Sequence, residues 1–208
     1  MHPQWNPQKK DKILSKSLEL FHQLGIRSLN MDDIARKLGI SKKTLYQHFS
    51  NKDDLVKQAI ERECFHDRQI MEEIKKNSRD AIDEVVKSAK YVMQKLIKIH
   101  PSVHFDLEKY YGESYQMIQQ LHKEYYLKKL NENALRGKKE GFYRKDFNEE
   151  IVNRFFLLRI DAFIDASIFP LEKLNFSEIF VELLRYHIYG IATDQGKIKF
   201  EEYMKKEE

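Results

Sequence analysis

The chain is poor in cysteine, proline and glycine. One of its 208 residues is cysteine, Cys64, so no disulfide can form within it. A single thiol suits a reducing compartment. Four prolines and seven glycines are few, as a mostly helical chain requires. No apolar run approaches the roughly 20 residues that a membrane span needs. The opening stretch, Met1 to Pro7, lacks the basic-then-apolar order of a secretory leader. These absences predict a cytoplasmic protein. Catalytic signatures are missing too. There is no Gly-x-Gly-x-x-Gly or Walker loop and no second cysteine for a metal, and the single His-x-x-x-His spacing, His100 to His104, contains Pro101. Ser114 and Ser167 lack the context of a nucleophile elbow. His66 and His122 stand far from the His100 and His104 pair in sequence, so only a metal site assembled from distant residues remains open. Neither an enzyme nor a cofactor or metal is expected.

What is present is a charged chain able to bury a core, with 41% hydrophobic and 34% charged residues. The net charge of +4 is uneven. Residues 1 to 52 hold ten Lys/Arg and four Asp/Glu, hence +6; the remainder holds 27 against 29, hence −2. A basic head on a near-neutral body predicts that the head meets a polyanion.

The most informative stretch runs from Asn30 to Phe49. Asn30 is suited to cap a helix, because its side-chain oxygen can accept from an early free amide. Ile34, Ala35 and Leu38 follow at helical spacing. Gly39 comes where a helix ends in left-handed geometry. Ser41 is a second cap, and Leu45 and Phe49 form the inner face of a second helix. Two short helices around a tight turn make a helix-turn-helix. At about 100° per residue, Lys43 and Gln47 point away from Leu45, flanked by Thr44 and Tyr46. That face carries donors and no acid, as a helix entering a major groove needs.

Three strings carry a family likeness: Asp33-Ile34-Ala35, Gly39-Ile40-Ser41 and Thr44-Leu45-Tyr46-Gln47-His48-Phe49-Ser50-Asn51-Lys52. Here the chain resembles the TetR/AcrR family of bacterial transcriptional regulators, over roughly residues 9 to 60. The resemblance implies an all-α protein with a three-helix DNA-binding head and a larger helical ligand-binding and dimerisation body. It implies a homodimer on a palindromic operator in double-stranded DNA, usually a repressor released by a small-molecule effector. Lys43 and Gln47 would face base edges, Lys42 and Thr44 bases or phosphates, and Tyr46, His48 and Lys52 phosphates. Asn30 is placed with these DNA-facing residues. Two other readings stay open: a sequence-tolerant or architectural DNA-binding protein with no effector, and a helical enzyme carrying an incidental helix-turn-helix.

The remaining chain reads as helices throughout. Residues 1 to 8 form an arm, and Lys9 to Leu24 a first helix ended by Gly25. Asn51 caps a connecting helix that reaches about Lys76. These bounds give a head of residues 1–52, a connecting helix of 53–76 and a body of 77–208. In the body, helices are expected at 81–99, 102–111, 114–139, 149–169 and 177–192, with a short tail helix at 196–206. The 114–139 helix ends near Gly137 or Gly141.

In helix 149–169 the polar residues Arg154, Asp161 and Asp165 form one narrow strip and most of the rest is apolar, which predicts burial on more than one side. Helix 177–192 sets Ile179, Leu183 and His187 on its apolar side, with Gly190 beside them. The family resemblance implies that these last two main helices form a four-helix dimer interface, so Ala162, Ile179, Leu183, His187 and Gly190 are interface candidates. Aromatic residues of the body could orient a ligand in an apolar pocket. The candidates are Tyr91, Phe105, Tyr115, Tyr126 and Phe155, together with Arg159, whose guanidinium sits in an apolar sector. Arg159 must find acceptors or extend its head into water.

Overall fold

A computed structural model of the chain describes residues 7–162 and 175–206. The expected arm up to residue 6, the last turns of the helix placed at 149–169 and its stop at Pro170 lie outside the described residues. Among the described residues the structure is helical, with one isolated antiparallel bridge between Tyr143 and Ala192. No helix among them is long and apolar enough to cross a membrane. The chain divides into two compact units. Unit 1 comprises residues 1–67 and 98–119, and unit 2 residues 68–97 and 120–208.

Unit 1 begins with α1, Pro7–Leu24. Ile13, Leu14 and Phe21 recur on its buried face. Gly25 ends the helix at φ 81°, a conformation that costs a residue with a Cβ. α2, Met31–Leu38, starts in a capping box. Asn30 accepts from the amides of Asp32 and Asp33, and the Asp33 side chain answers the Asn30 amide. Gly39, at φ 66°, closes it. α3, Lys42–Tyr46, is capped by Ser41, which accepts from the Thr44 amide at 3.0 Å. α4, Lys52–Lys76, is capped by Asn51, which accepts from the Asp54 amide at 2.8 Å. Up to Asp67 this helix belongs to unit 1.

Residues 98–119, placed in the body from sequence, fold with the head instead. They carry α6, Ser102–Tyr110, and α7, Gly112–Gln120. Val103 and Leu107 of α6 enter the same core as Phe21, Ile34, Leu45 and Phe49. Burying each such side chain fully contributes about 1.5–3 kcal/mol.

Unit 2 holds the end of α4, then α5 (Ala81–Leu96), a π-helical turn (Leu121–Tyr126), α8 (Leu127–Glu140), α9 (Glu149–Ala162), α10 (Phe176–Ile191) and α11 (Asp194–Lys206). The single helix expected at 114–139 is thus three segments. Gly141, at φ 81°, is its C-cap. Gly137 lies inside α8 for another reason: a Cβ there would meet the Tyr143 ring at 2.1 Å. Tyr143 is fully buried and donates to Asn133 Oδ1 at 3.1 Å. The α5 N-terminus is tied down by charge. Asp80 accepts from the Tyr203 hydroxyl at 2.7 Å, and Lys199 stands 3.0 Å from it. Asp83 pairs with Arg79 at 2.9 Å and Lys87 at 2.8 Å.

The α9 helix does not bury its apolar surface all round within one chain. Ile151, Phe155 and Leu158 are 54%, 58% and 63% exposed. Phe156 faces the core, where Phe180, Leu184 and Ile188 of α10 meet it.

Candidate nucleic-acid interface

The head presents α3 outward. Leu45 is completely buried, and Lys43 and Gln47, on the opposite side, are exposed. α3 ends at Tyr46, but Gln47 keeps right-handed helical dihedrals, so its side chain continues the same face. The two caps fix that face. Ser41 holds the start of α3, and its hydroxyl also lies 2.8 Å from Thr44 Oγ1. Thr44 is half-buried and spends part of its bonding capacity on that contact.

Three of the DNA-facing candidates behave differently from the expectation of free cations and donors. Lys42 pairs with Asp32 at 2.8 Å on the surface, and the hydrogen bond it donates to Asp32 raises its pKa. An acid from α2 therefore borders a face that carries none of its own. His48 is half-buried beside Phe49, its ring centroid 6.2 Å away. Burial, reinforced by Lys9 and Lys10, pushes its pKa below the ordinary imidazole value. Its Nδ1 is buried without a hydrogen-bond partner among the described residues. Asn30 is exposed, but its side-chain oxygen is committed to the capping box, which leaves its amide N–H groups to donate.

Tyr46 is 44% exposed. With Asn30, Asn51 and Lys52 it lines an open hollow of about 570 Å³ that Arg27, Leu29, Met31 and Asp32 complete. Lys52 is half-buried, and burial lowers its pKa. Arg27 is the basic residue of this hollow to which the sequence assigned no role. Its only sequence signal is a basic residue in the turn just after Gly25.

Residues 13–59 match the family model described as "Bacterial regulatory proteins, tetR family". That match spans the helix-turn-helix head, less than half of the chain, and shows the likeness there. Among curated relatives, the chain is 35% identical over 57 residues to the icaADBC negative transcriptional regulator IcaR of Staphylococcus epidermidis. That match covers 27% of this chain and only 30% of IcaR. It is 25% identical over 189 residues to the HTH-type transcriptional regulator YvaF of Bacillus subtilis, covering 88% of this chain and 96% of YvaF. Among solved structures, a TetR-family regulator from Agrobacterium tumefaciens superposes with a TM-score of 0.72 at 18% identity, over 90% of this chain and 100% of the other. FadR from Bacillus subtilis, solved in complex with stearoyl-CoA, gives 0.65 at 17% identity, over 86% and 97%. At these identities the structural likeness shows the TetR fold, an N-terminal helix-turn-helix head with a helical body.

The other candidates fall apart into two groups. Phe105 and Tyr115 lie in unit 1, whereas Tyr91, Tyr126, Phe155 and Arg159 lie in unit 2. Phe105 is exposed and meets Tyr110 edge-on at 6.4 Å; Tyr115 is half-buried against His104 at 5.5 Å. Tyr91 and Tyr126 are half-buried, and Tyr126 meets Tyr125 at 5.7 Å. Phe155 stands on the open face of α9 and lines no interior. Arg159 is exposed, with its guanidinium 4.8 Å from the Tyr186 ring centre. Among the described residues it meets an aromatic face and solvent.

Of the interface candidates, His187 is turned inward. It is buried and stacks on Phe156 at 4.1 Å, and burial lowers its pKa to about 4. Ile179 and Leu183 are half-buried and pack against the unit 2 core. Gly190 is exposed, with open space where a Cβ would stand. The side chain of Ala162 lies outside the described residues.

Proposed function

We propose that this protein is a homodimeric DNA-binding transcriptional regulator of the TetR family, a repressor that a small molecule bound in its C-terminal region releases from a palindromic operator. The observation that carries the reading is the α3 face. Lys43 and Gln47 stand clear of the protein on a short helix locked by Ser41, Gly39 and Leu45. Lys and Gln there can reach base edges, and Tyr46 and Lys52 can reach the backbone.

Dimerisation is supported by the open face of unit 2. Ile151, Phe155 and Leu158 of α9 and Tyr186 of α10, itself 68% exposed, leave a large apolar surface in water. Contiguous apolar patches of this kind mark interaction surfaces. A second copy would cover them about a two-fold axis, with Gly190 admitting close approach. The interface is therefore centred on Ile151, Phe155, Leu158, Tyr186 and Gly190, with Ile179 and Leu183 at its edge. The effector reading leans on relatives such as the stearoyl-CoA-bound FadR. A ligand that favours a different spacing of the two heads would lower operator affinity.

The test is selection of bound sequences from random DNA, followed by a screen for compounds that release them. Enrichment of an inverted repeat, with release by one compound class, supports the reading. Binding without sequence enrichment, and without release by any compound, would replace it with the architectural alternative.

A further inference from the structure

Arg27 sits in the turn between α1 and α2, and α6 grips that turn. The amides of Ile26 and Arg27 both donate to one oxygen of Asp106, at 3.1 and 3.0 Å. Asp106 is 5% exposed, so these bonds are shielded from water. Gly25 lies so close beneath α6 that a Cβ would come within 2.4 Å of Ser102 Oγ. Two residues further on, the Arg27 guanidinium lies over the Tyr110 ring at 4.1 Å. α6 therefore holds the backbone and the side chain of Arg27 at once.

The held guanidinium lines the same hollow as Lys52. Among the described residues neither cation has an ion pair. The acid on the hollow's wall, Asp32, is engaged by Lys42 at 2.8 Å. Lys52 feels the arrangement: burial lowers its pKa, Asp106 and Asp53 oppose the shift, and Arg27 adds to it. Asp106 and Asp53 offset part of the repulsion between these two neighbouring cations without pairing with either, and an anion between the cations would relieve the rest. A planar guanidinium, an ammonium and the Tyr46 hydroxyl match the donor pattern that a phosphodiester accepts.

We propose that Arg27 and Lys52 together seat one DNA backbone phosphate in this hollow, and that Tyr110 and Asp106 of α6 are the positioning residues that hold Arg27 there. The inference rests on the DNA-binding reading and adds to it a contact and its support. It makes α6 part of the DNA interface without touching DNA.

The experiment uses the full chain and the DNA that the wild type selects, with affinity measured across a salt series. Arg27→Met should weaken binding to selected and random DNA by the same factor, roughly tenfold, the scale of a charged hydrogen bond. It should also flatten the dependence of affinity on salt. Arg27→Gln, which is polar and uncharged, should do the same. Arg27→Met and Lys52→Met should be non-additive when combined, because they serve one phosphate. Tyr110→Leu should weaken binding in the wild-type background and have no effect once Arg27 is Met. Wild-type affinity and salt slope in both Arg27 variants would overturn the contact. An equal Tyr110→Leu loss in both backgrounds would overturn the positioning role. If the wild type selects no DNA at all, the DNA-binding reading itself falls, and this inference with it.

Discussion

Replacing Leu158 by Glu should split the dimer while leaving each chain folded. Leu158 is 63% exposed in the single chain, so it contributes little to the monomer's core. Full burial of a leucine is favourable by about 1.5–3 kcal/mol, and the exposed share of that is about 1–2 kcal/mol. A two-fold axis applies the loss twice, so removing the side chain costs the dimer roughly 2–4 kcal/mol. A carboxylate in its place adds the cost of burying an unpaired charge, several kcal/mol more. The dimer dissociation constant should rise by at least a hundredfold, since about 1.4 kcal/mol is a factor of ten. Sedimentation at a series of concentrations reads the shift directly. Circular dichroism should show unchanged helix content, and thermal melts under conditions where both proteins are monomeric should coincide. Operator affinity should fall with the loss of the second head. A Leu158→Glu protein that sediments as a dimer like the wild type would move the interface off α9.

Lys43→Ala and Gln47→Ala should each weaken specific DNA binding by about 1–3 kcal/mol, read by fluorescence anisotropy, with unchanged melts because both side chains are exposed. Gly137→Ala should destabilise the protein in urea melts. The roughly 1 kcal/mol gain in helix propensity is outweighed by a Cβ placed 2.1 Å from the buried Tyr143 ring. Burial alone would raise the Asp83 pKa, but hydrogen bonds from Arg79 and Lys87 hold it well below the ordinary carboxylate range. Its contribution to stability is therefore present above about pH 4 and lost as the pH falls through the folded value. Asp83→Asn should lower stability at pH 7 and reduce the loss between pH 7 and pH 3; parallel slopes for both proteins would refute the role.

The head was legible because its signals are local. Asn30, Gly39, Ser41 and Asn51 each act on amides within a few residues, and the helix bounds they mark differ little from those observed. The opposition of Leu45 to Lys43 and Gln47 follows from helical geometry alone. What the sequence concealed is long-range. Asp106 meets Ile26 across eighty positions, so no periodicity assigns α6 to the head. His187 looked like an interface residue because the apolar side of α10 is continuous; that side faces Phe156. Lys42 looked free because Asp32 lies on another helix. The apolar girth of α9 predicted burial on several sides, and one of those sides is open in the single chain.

The central claim is that the outward face of α3 reads base sequence. The direct measurement is parallel selection from random DNA with the wild type and with Gln47→Ala, sequenced to the same depth. The expected wild-type result is an inverted repeat whose half-site centres lie about one helical turn, or a multiple of it, apart. The Gln47→Ala protein should keep that spacing and lose its preference at one base pair in each half-site. An identical motif from both proteins, or no motif from either, would contradict the claim.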